Sequence, residues 1–556
     1  MNKKVCSFPI LFALLALLIG TCAVVFPASA QAAPTSTGSI TVGGTVASSY
    51  DAFQIFSANV VDGDSDAKIA TDLAWASDAV RDAALPVLHS AGMPNSQTTA
   101  QEAAEWLNTD SHLTSALSAQ LARSLQSSGA VSMALNAGTA AELPSGYWLI
   151  VADDDAIAQG EAGTAPIMAL VGGSAVTVKP KAATPKVAKH VLEDSAAAWQ
   201  KAADATVADD LYWRLSATVP AGLTAYDTYT VRFVDTMGAG LDPSKVAASM
   251  RVYVAAGADG GFDAVQTGKD GRAGTDPAKG WTDITAQCAT KVAADGKTFT
   301  VRTGDLVAAL GGTDAFTAGA RVVAVYNAPL NNACNHGIAK GNPNEVYLRY
   351  PRSPFADQSG DAGFTRTPSD DACAYTWDLA LTKRGSDGDK PLAGAVLSIA
   401  DDRGRTLAAD GTWDAEGKAT VTTGEDGRVT VSGVDSGKLE VRELKAPKGY
   451  TAFEGTRSVT VKAEGLDVDQ VAAAKPKLTI TAESPLRADS ADGSTGSLEA
   501  SLINTPTGTP PSITTGGFMP STGDMAMYAA AAAAVAGAAL IVVALLVKRG
   551  GGSHKE

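Results

Sequence analysis

The run Trp377-Asp378-Leu379-Ala380-Leu381-Thr382-Lys383 sets large apolar residues at 377, 379 and 381, with Asp and Thr at 378 and 382. Side chains in a strand point alternately to opposite faces, so this period of two predicts a half-buried β-strand. More short strand-like runs follow, separated by Asp-Gly turns at Asp410-Gly411 and Asp426-Gly427. Short strands at such spacing predict a β-sandwich over residues 374–508.

Working toward the N-terminus, residues 351–372 read as a polar linker. Before it, strand-like runs at 211–219, 228–234, 250–255, 298–301, 321–326 and 345–350 stand between Gly- and Asp-rich spacers. These predict a second sandwich over 184–356. A Lys/Pro/Ala linker, Lys179-Pro180-Lys181-Ala182-Ala183-Thr184-Pro185-Lys186, separates it from a first segment over 37–178. That segment opens on Ser39-Ile40-Thr41-Val42 and closes on strands at 146–151, 168–171 and 175–178. Between them two stretches, 67–92 and 98–127, carry apolar residues at helical spacing, among them Leu73, Ala76, Val80 and Ala84. The expected fold is mainly β: tandem immunoglobulin-like sandwiches behind a mixed α+β domain with helical insertions.

The two ends address the chain to the cell surface. Residues 1–32 read as a signal peptide, with Lys3 and Lys4 ahead of an apolar run and Ala28-Ser29-Ala30 at the cleavage site. Residues 525–547 are uncharged and long enough to span a bilayer as a single transmembrane helix, and Lys548 and Arg549 begin a basic tail over 548–556. Residues 509–524 form a Pro/Gly/Thr stalk ending in Met519-Pro520-Ser521-Thr522-Gly523.

Composition narrows the function. The chain has 556 residues and a net charge of −15, which disfavours nucleic acid and anionic lipid as partners. Aromatics are 6% while Gly numbers 55 and Pro 25, a turn-rich balance. There is no CxxC, HExxH, GxSxG or P-loop, so no metal or cofactor is expected. Asp62 to Asp66 begins like a calcium loop, but Ala67 stands where Gly is required and Leu73 where the bidentate Glu belongs. Outside the signal, Cys288, Cys334 and Cys373 remain. Cys288 and Cys334 fall in one proposed domain and are the suggested disulfide, though nothing in the spacing demands it.

Several of these stretches resemble a known family. Met519-Pro520-Ser521-Thr522-Gly523, the apolar span and the basic tail together resemble the LPxTG sorting signal of Gram-positive surface proteins, with Met for Leu. Val441-Arg442-Glu443-Leu444-Lys445-Ala446-Pro447-Lys448-Gly449-Tyr450 resembles the E-box of sortase-assembled pilins. With Leu381-Thr382-Lys383 and Leu502-Ile503-Asn504 it is similar to a Cna protein B-type domain. That resemblance implies an amide between Lys383 and Asn504, promoted by Glu443. Lys186-Val187-Ala188-Lys189, Tyr229 to Asp235 and Gly341-Asn342-Pro343-Asn344 resemble the isopeptide-forming middle domain of backbone pilins. They imply a Lys189–Asn344 amide assisted by Asp235, with Lys186 and Asn342 as rivals. Val178-Lys179-Pro180-Lys181 looks like the pilin motif, implying Lys181 as the acceptor for a sortase-delivered Thr522.

The physics of burial points the same way. A Lys, an Asn and a carboxyl group in one apolar core are all desolvated. Burial lowers an amine pKa and raises a carboxyl pKa, leaving a neutral nucleophile beside a proton donor. The function expected is a major pilin subunit joined covalently to identical subunits by sortase. It would be anchored to peptidoglycan, accompanied by minor pilins, and not itself an enzyme. A monomeric wall-anchored adhesin or minor pilin, and an anchored enzyme with its site in the first segment, are the alternatives.

Overall fold

The computed structural model describes residues 36–508, apart from 45, 65–66, 110–111, 164, 181–183, 269 and 357. The signal peptide, Lys181, the Met519–Gly523 motif, the 525–547 span and the basic tail lie outside the described residues. Among the described residues no helix is long and apolar enough to cross a membrane.

Three β-rich units follow one another. In the first, strand Thr37–Val42 sits between Ala140–Pro144 and, in parallel, Val176–Val178. A second sheet, built on Ser49–Asp62 with Lys68–Trp75, Ser132–Asn136, Gly146–Ala152 and Ile167–Val171, packs across it through Ile40, Val42, Trp148 and Ile150. The other face of that second sheet is covered by helices Asp78–Ser90, Ala100–Leu107 and Ser115–Ser128, which bury Leu88, Leu121 and Leu125 against Phe53, Phe56 and Leu149. Each helix starts on a side-chain cap: Ser77, Thr99 in a capping box with Glu102, and Thr114.

The helical reading needs correction here. Lys68–Trp75 is a strand, and the helix begins only after Ser77. The second helical stretch is two helices rather than one.

The middle unit is a sandwich of a six-stranded and a seven-stranded sheet. Trp213, Phe233, Phe299 and Val301 fill its core. It extends further than the sequence suggests. The stretch 351–372 read as a linker runs into strand Asp370–Tyr375, which pairs antiparallel with Asn342–Pro351 and parallel with Ala202–Asp204.

In the last unit the first strand, Trp377–Gly385, and the last, Ser497–Pro506, lie side by side in parallel, with Gly385 opposite Asn504. A second sheet, carrying Val396–Ala400, Gly437–Lys445 and Thr456–Glu464, closes the core around Leu381, Leu397, Val441 and Leu502.

The middle and last units are tightly joined. The buried Trp377 indole donates to Asp204 at 2.7 Å, and the backbone N–H of Val207 donates to Gly433. Gly337 has φ +76°, and a Cβ there would lie 2.5 Å from the backbone of Thr495. Gly337→Ala therefore meets both left-handed strain and a backbone collision, a cost of about 1–3 kcal/mol. The expected outcome is faster proteolytic cleavage at this junction with both sandwiches intact, read by timed limited digestion.

Candidate functional site

Strand alternation carries the proposed site residues inward. On Trp377–Gly385 the buried face is Trp377, Leu379, Leu381 and then Lys383; on Gly437–Lys445 it is Leu439, Val441 and Glu443. On Ser497–Pro506 the residues Leu498, Ala500, Leu502 and Asn504 point the same way. A charged or amide side chain thus takes the last core-facing place on each strand. In the middle unit too the site residues lie in line with core positions: Lys189 shares a face with Val191, Asp235 with Phe233 and Met237, and Asn344 with Val346 and Leu348.

In the last unit Lys383 Nζ donates to Asn504 Oδ1 and lies 3.2 Å from Glu443 Oε1. Asn504 Nδ2 donates to both Glu443 oxygens, at 2.9 and 3.0 Å. The Phe453 backbone N–H donates to Glu443 Oε2 at 3.1 Å and fixes the carboxyl group. Lys383 is fully buried, and burial pushes its amine down to about 8 against the opposing pull of Glu443. An amine at that value has a usable neutral fraction near neutral pH.

In the middle unit Lys189, Asp235 and Asn344 each have no solvent exposure. Lys189 Nζ donates to Asp235 Oδ2 and, at 2.9 Å, to the hydroxyl of Tyr326. Its amine is also pushed down to about 8 by burial, opposed by Asp235, while burial raises the Asp235 carboxyl. The Tyr326 hydroxyl donates to Asp235 Oδ2 at 3.0 Å and accepts from Asn344 Nδ2 at 2.8 Å. Lys189 and Tyr326 stand on one sheet and Asp235 and Asn344 on the other, so the cluster spans the core.

The rivals fall elsewhere. Lys186 is exposed, and Asn342 Nδ2 donates to the carbonyls of Asn335 and Ala374.

Two residues escaped the sequence reading. Tyr326 is one aromatic in a run of core Val and Ala, with nothing local to single it out. Asp370 lay in the presumed linker; its carboxylate accepts from the Lys189 backbone N–H at 2.7 Å and from Lys201 Nζ. The first unit has a buried lysine too, Lys68. Its Nζ donates to the carbonyls of Gly172 and Ser174, at 2.5 and 2.7 Å, and to Asp62 at 3.1 Å, with no Asn among these partners.

The suggested Cys288–Cys334 bond is not formed. Cys288 Sγ donates to Ile284 O, Cys334 Sγ lies 3.6 Å from His336 Nε2, and Cys373 is also a free thiol. The first two thiols are turned toward different partners, one beside a 3₁₀ turn and the other in the loop against the last unit. Among the described residues no cluster of three or more His, Cys, Asp or Glu is arranged to hold a metal ion. Lys179 and Lys186, which flank the undescribed Lys181, are both exposed.

Comparison with known proteins supplies the context. Residues 378–475 match the SpaA prealbumin-like fold domain. A 143-residue stretch is 31% identical to the trypsin-resistant surface T6 protein of Streptococcus pyogenes, covering 24% of this chain and 24% of that relative. The chain thus spans about a quarter of the curated relative it matches. Among solved structures, the T6 backbone pilin of S. pyogenes overlaps 86% of this chain and 100% of its own, at 16% identity and a TM-score of 0.45. The full-length major pilin SpaD of Corynebacterium diphtheriae overlaps 85% of this chain and 97% of its own, at 15% identity and a TM-score of 0.40. The chain carries a SpaA-type prealbumin-like domain within a multi-domain β-sandwich architecture, and it resembles the major pilins of Gram-positive bacteria.

Proposed function

We propose that this chain is the structural subunit of a wall-anchored pilus, exported through its signal peptide and held together by amide bonds within and between subunits. The observation that carries this reading is the pair of buried Lys–Asn–carboxyl clusters, each joining an early strand of a sandwich to a late one. In each cluster the neutral lysine attacks the Asn side-chain carbon, the carboxyl group moves a proton from the amine to the amide nitrogen, and ammonia leaves. Glu443 touches both the amine and the amide nitrogen of its cluster, so one carboxyl group serves both ends of that transfer. Bonds at Lys189–Asn344 and Lys383–Asn504 would restrict the open chain as a disulfide does.

Between subunits, sortase would cleave after Thr522 and pass its carboxyl group to Lys181 of the next copy. The last subunit would go to peptidoglycan, and minor pilins would join the same polymer. The subunit acts as substrate of sortase and as catalyst only of its own cross-links. The test is the surface extract resolved on a denaturing gel. Wild-type chain is expected to run as a high-mass ladder, and Lys181→Ala to collapse it to a single anchored species. A ladder unchanged by Lys181→Ala removes that acceptor. A wild-type chain found only as monomer favours a wall-anchored adhesin.

A further inference from the structure

The two clusters are built differently. Glu443 hydrogen-bonds directly to the leaving nitrogen of Asn504. The hydrogen bonds of Asp235, whose side chain is one methylene shorter, run to Lys189 and Tyr326. The Tyr326 hydroxyl fills the interval: it lies 2.9 Å from Lys189 Nζ, 3.0 Å from Asp235 Oδ2 and 2.8 Å from Asn344 Nδ2. The ring is fully buried and held edge-on to Phe299, with centroids 4.8 Å apart.

We propose that Tyr326 is a catalytic residue of the middle domain, relaying the proton from Asp235 to the departing nitrogen of Asn344. This role rests on the Lys189–Asn344 bond proposed above. Neutral Lys189 Nζ bonds to Cγ of Asn344, and the Cγ–Nδ2 bond breaks. Asp235 takes one proton from Nζ. Tyr326 gives its hydroxyl proton to Nδ2 and is reprotonated by Asp235. Ammonia departs, and Asp235 and Tyr326 end as they began. In the resting amide Nδ2 donates to the hydroxyl. Once Cγ turns tetrahedral, Nδ2 gains a lone pair and that hydrogen bond reverses.

Tyr326→Phe keeps the ring and removes the relay. After cell-free synthesis of the full exported chain, digestion and mass analysis follow both cross-links in the same molecule. The middle bond is expected to form on the order of 100-fold more slowly, with the Lys383–Asn504 bond at its wild-type rate. A middle bond forming at the wild-type rate overturns the role. A wild-type chain lacking the Lys189–Asn344 bond overturns the parent reading and this role with it. If the Phe variant does not fold, fluorotyrosine at 326 keeps the shape and changes only the acidity of the hydroxyl. A shift in the pH profile of middle-bond formation is then expected, and an unshifted profile counts against the relay.

Discussion

Glu443→Gln is expected to leave Lys383 and Asn504 unjoined and to lower the melting temperature of the last domain on the order of 20 °C. The Gln side chain has nearly the same shape and can still accept from the Phe453 N–H, so the local structure is retained. It cannot move a proton from the lysine to the amide. The cross-link would tie residues 121 positions apart in sequence. By analogy with a disulfide closing a loop of about that length, its loss removes about 5 kcal/mol of restraint on the unfolded chain. At the usual entropy of unfolding for a domain of this size, that corresponds to the shift given. Lys383 also loses its carboxyl partner in a buried site, which adds to the effect. Calorimetry of the full exported chain reads the result, and an unchanged last transition would count against the bond.

The mechanical consequence follows from the parallel pairing of the first and last strands. Tension entering near residue 376 and leaving near residue 508 would pass from Lys383 to Asn504 through the bond. Residues 384–503 would lie outside the force path and could not extend.

Asp235→Asn is expected to block the middle bond and to give that domain a pH dependence that the bonded protein lacks. An amide does not titrate, but an unjoined Lys189 does. Its amine is already held at about 8 rather than 10.5 by burial, and removing the neighbouring carboxylate pushes it lower still. Between that folded value and 10.5 the unfolded chain binds more protons than the folded one, so stability rises with pH across this window. Below the folded value the domain must bury an ammonium ion without a carboxylate, at a cost of about 3–5 kcal/mol. Chemical denaturation from pH 6 to 10 should show the middle transition of the variant strengthening with pH relative to that of the wild type. A variant that follows the wild-type profile would show that the charge of Lys189 is not the issue.

Much of this was legible in the sequence because the buried positions obey simple alternation. In Trp377–Gly385, Gly437–Lys445 and Asn342–Pro351 the period of two continues through the polar site residue, which is why Lys383, Glu443 and Asn344, singled out by resemblance, come to lie in the core. The failures have physical causes. Ser49–Asp62, the long central strand of the first unit, has cores on both faces and register shifts near Gln54 and Ser57. Its alternation is broken, so the sequence carries no period-two signal for it. Lys68–Trp75 carries a helical pattern because Leu73 and Ala76 fall in phase with Val80 and Ala84 of the true helix that follows. Asp370–Tyr375 was hidden behind a polar stretch. Tyr326 could not be found from sequence, because only the fold brings its hydroxyl between residues 189, 235 and 344.

The most direct measurement is the intact mass of the soluble piece from Ala33 to Thr522, under reducing and non-reducing conditions. The account predicts a mass lower than the plain sequence by two ammonias, mapped by digestion to Lys189–Asn344 and Lys383–Asn504, with no third deficit at Lys68. A mass equal to that of the plain sequence would contradict the cross-linked subunit and leave an uncross-linked surface protein in its place.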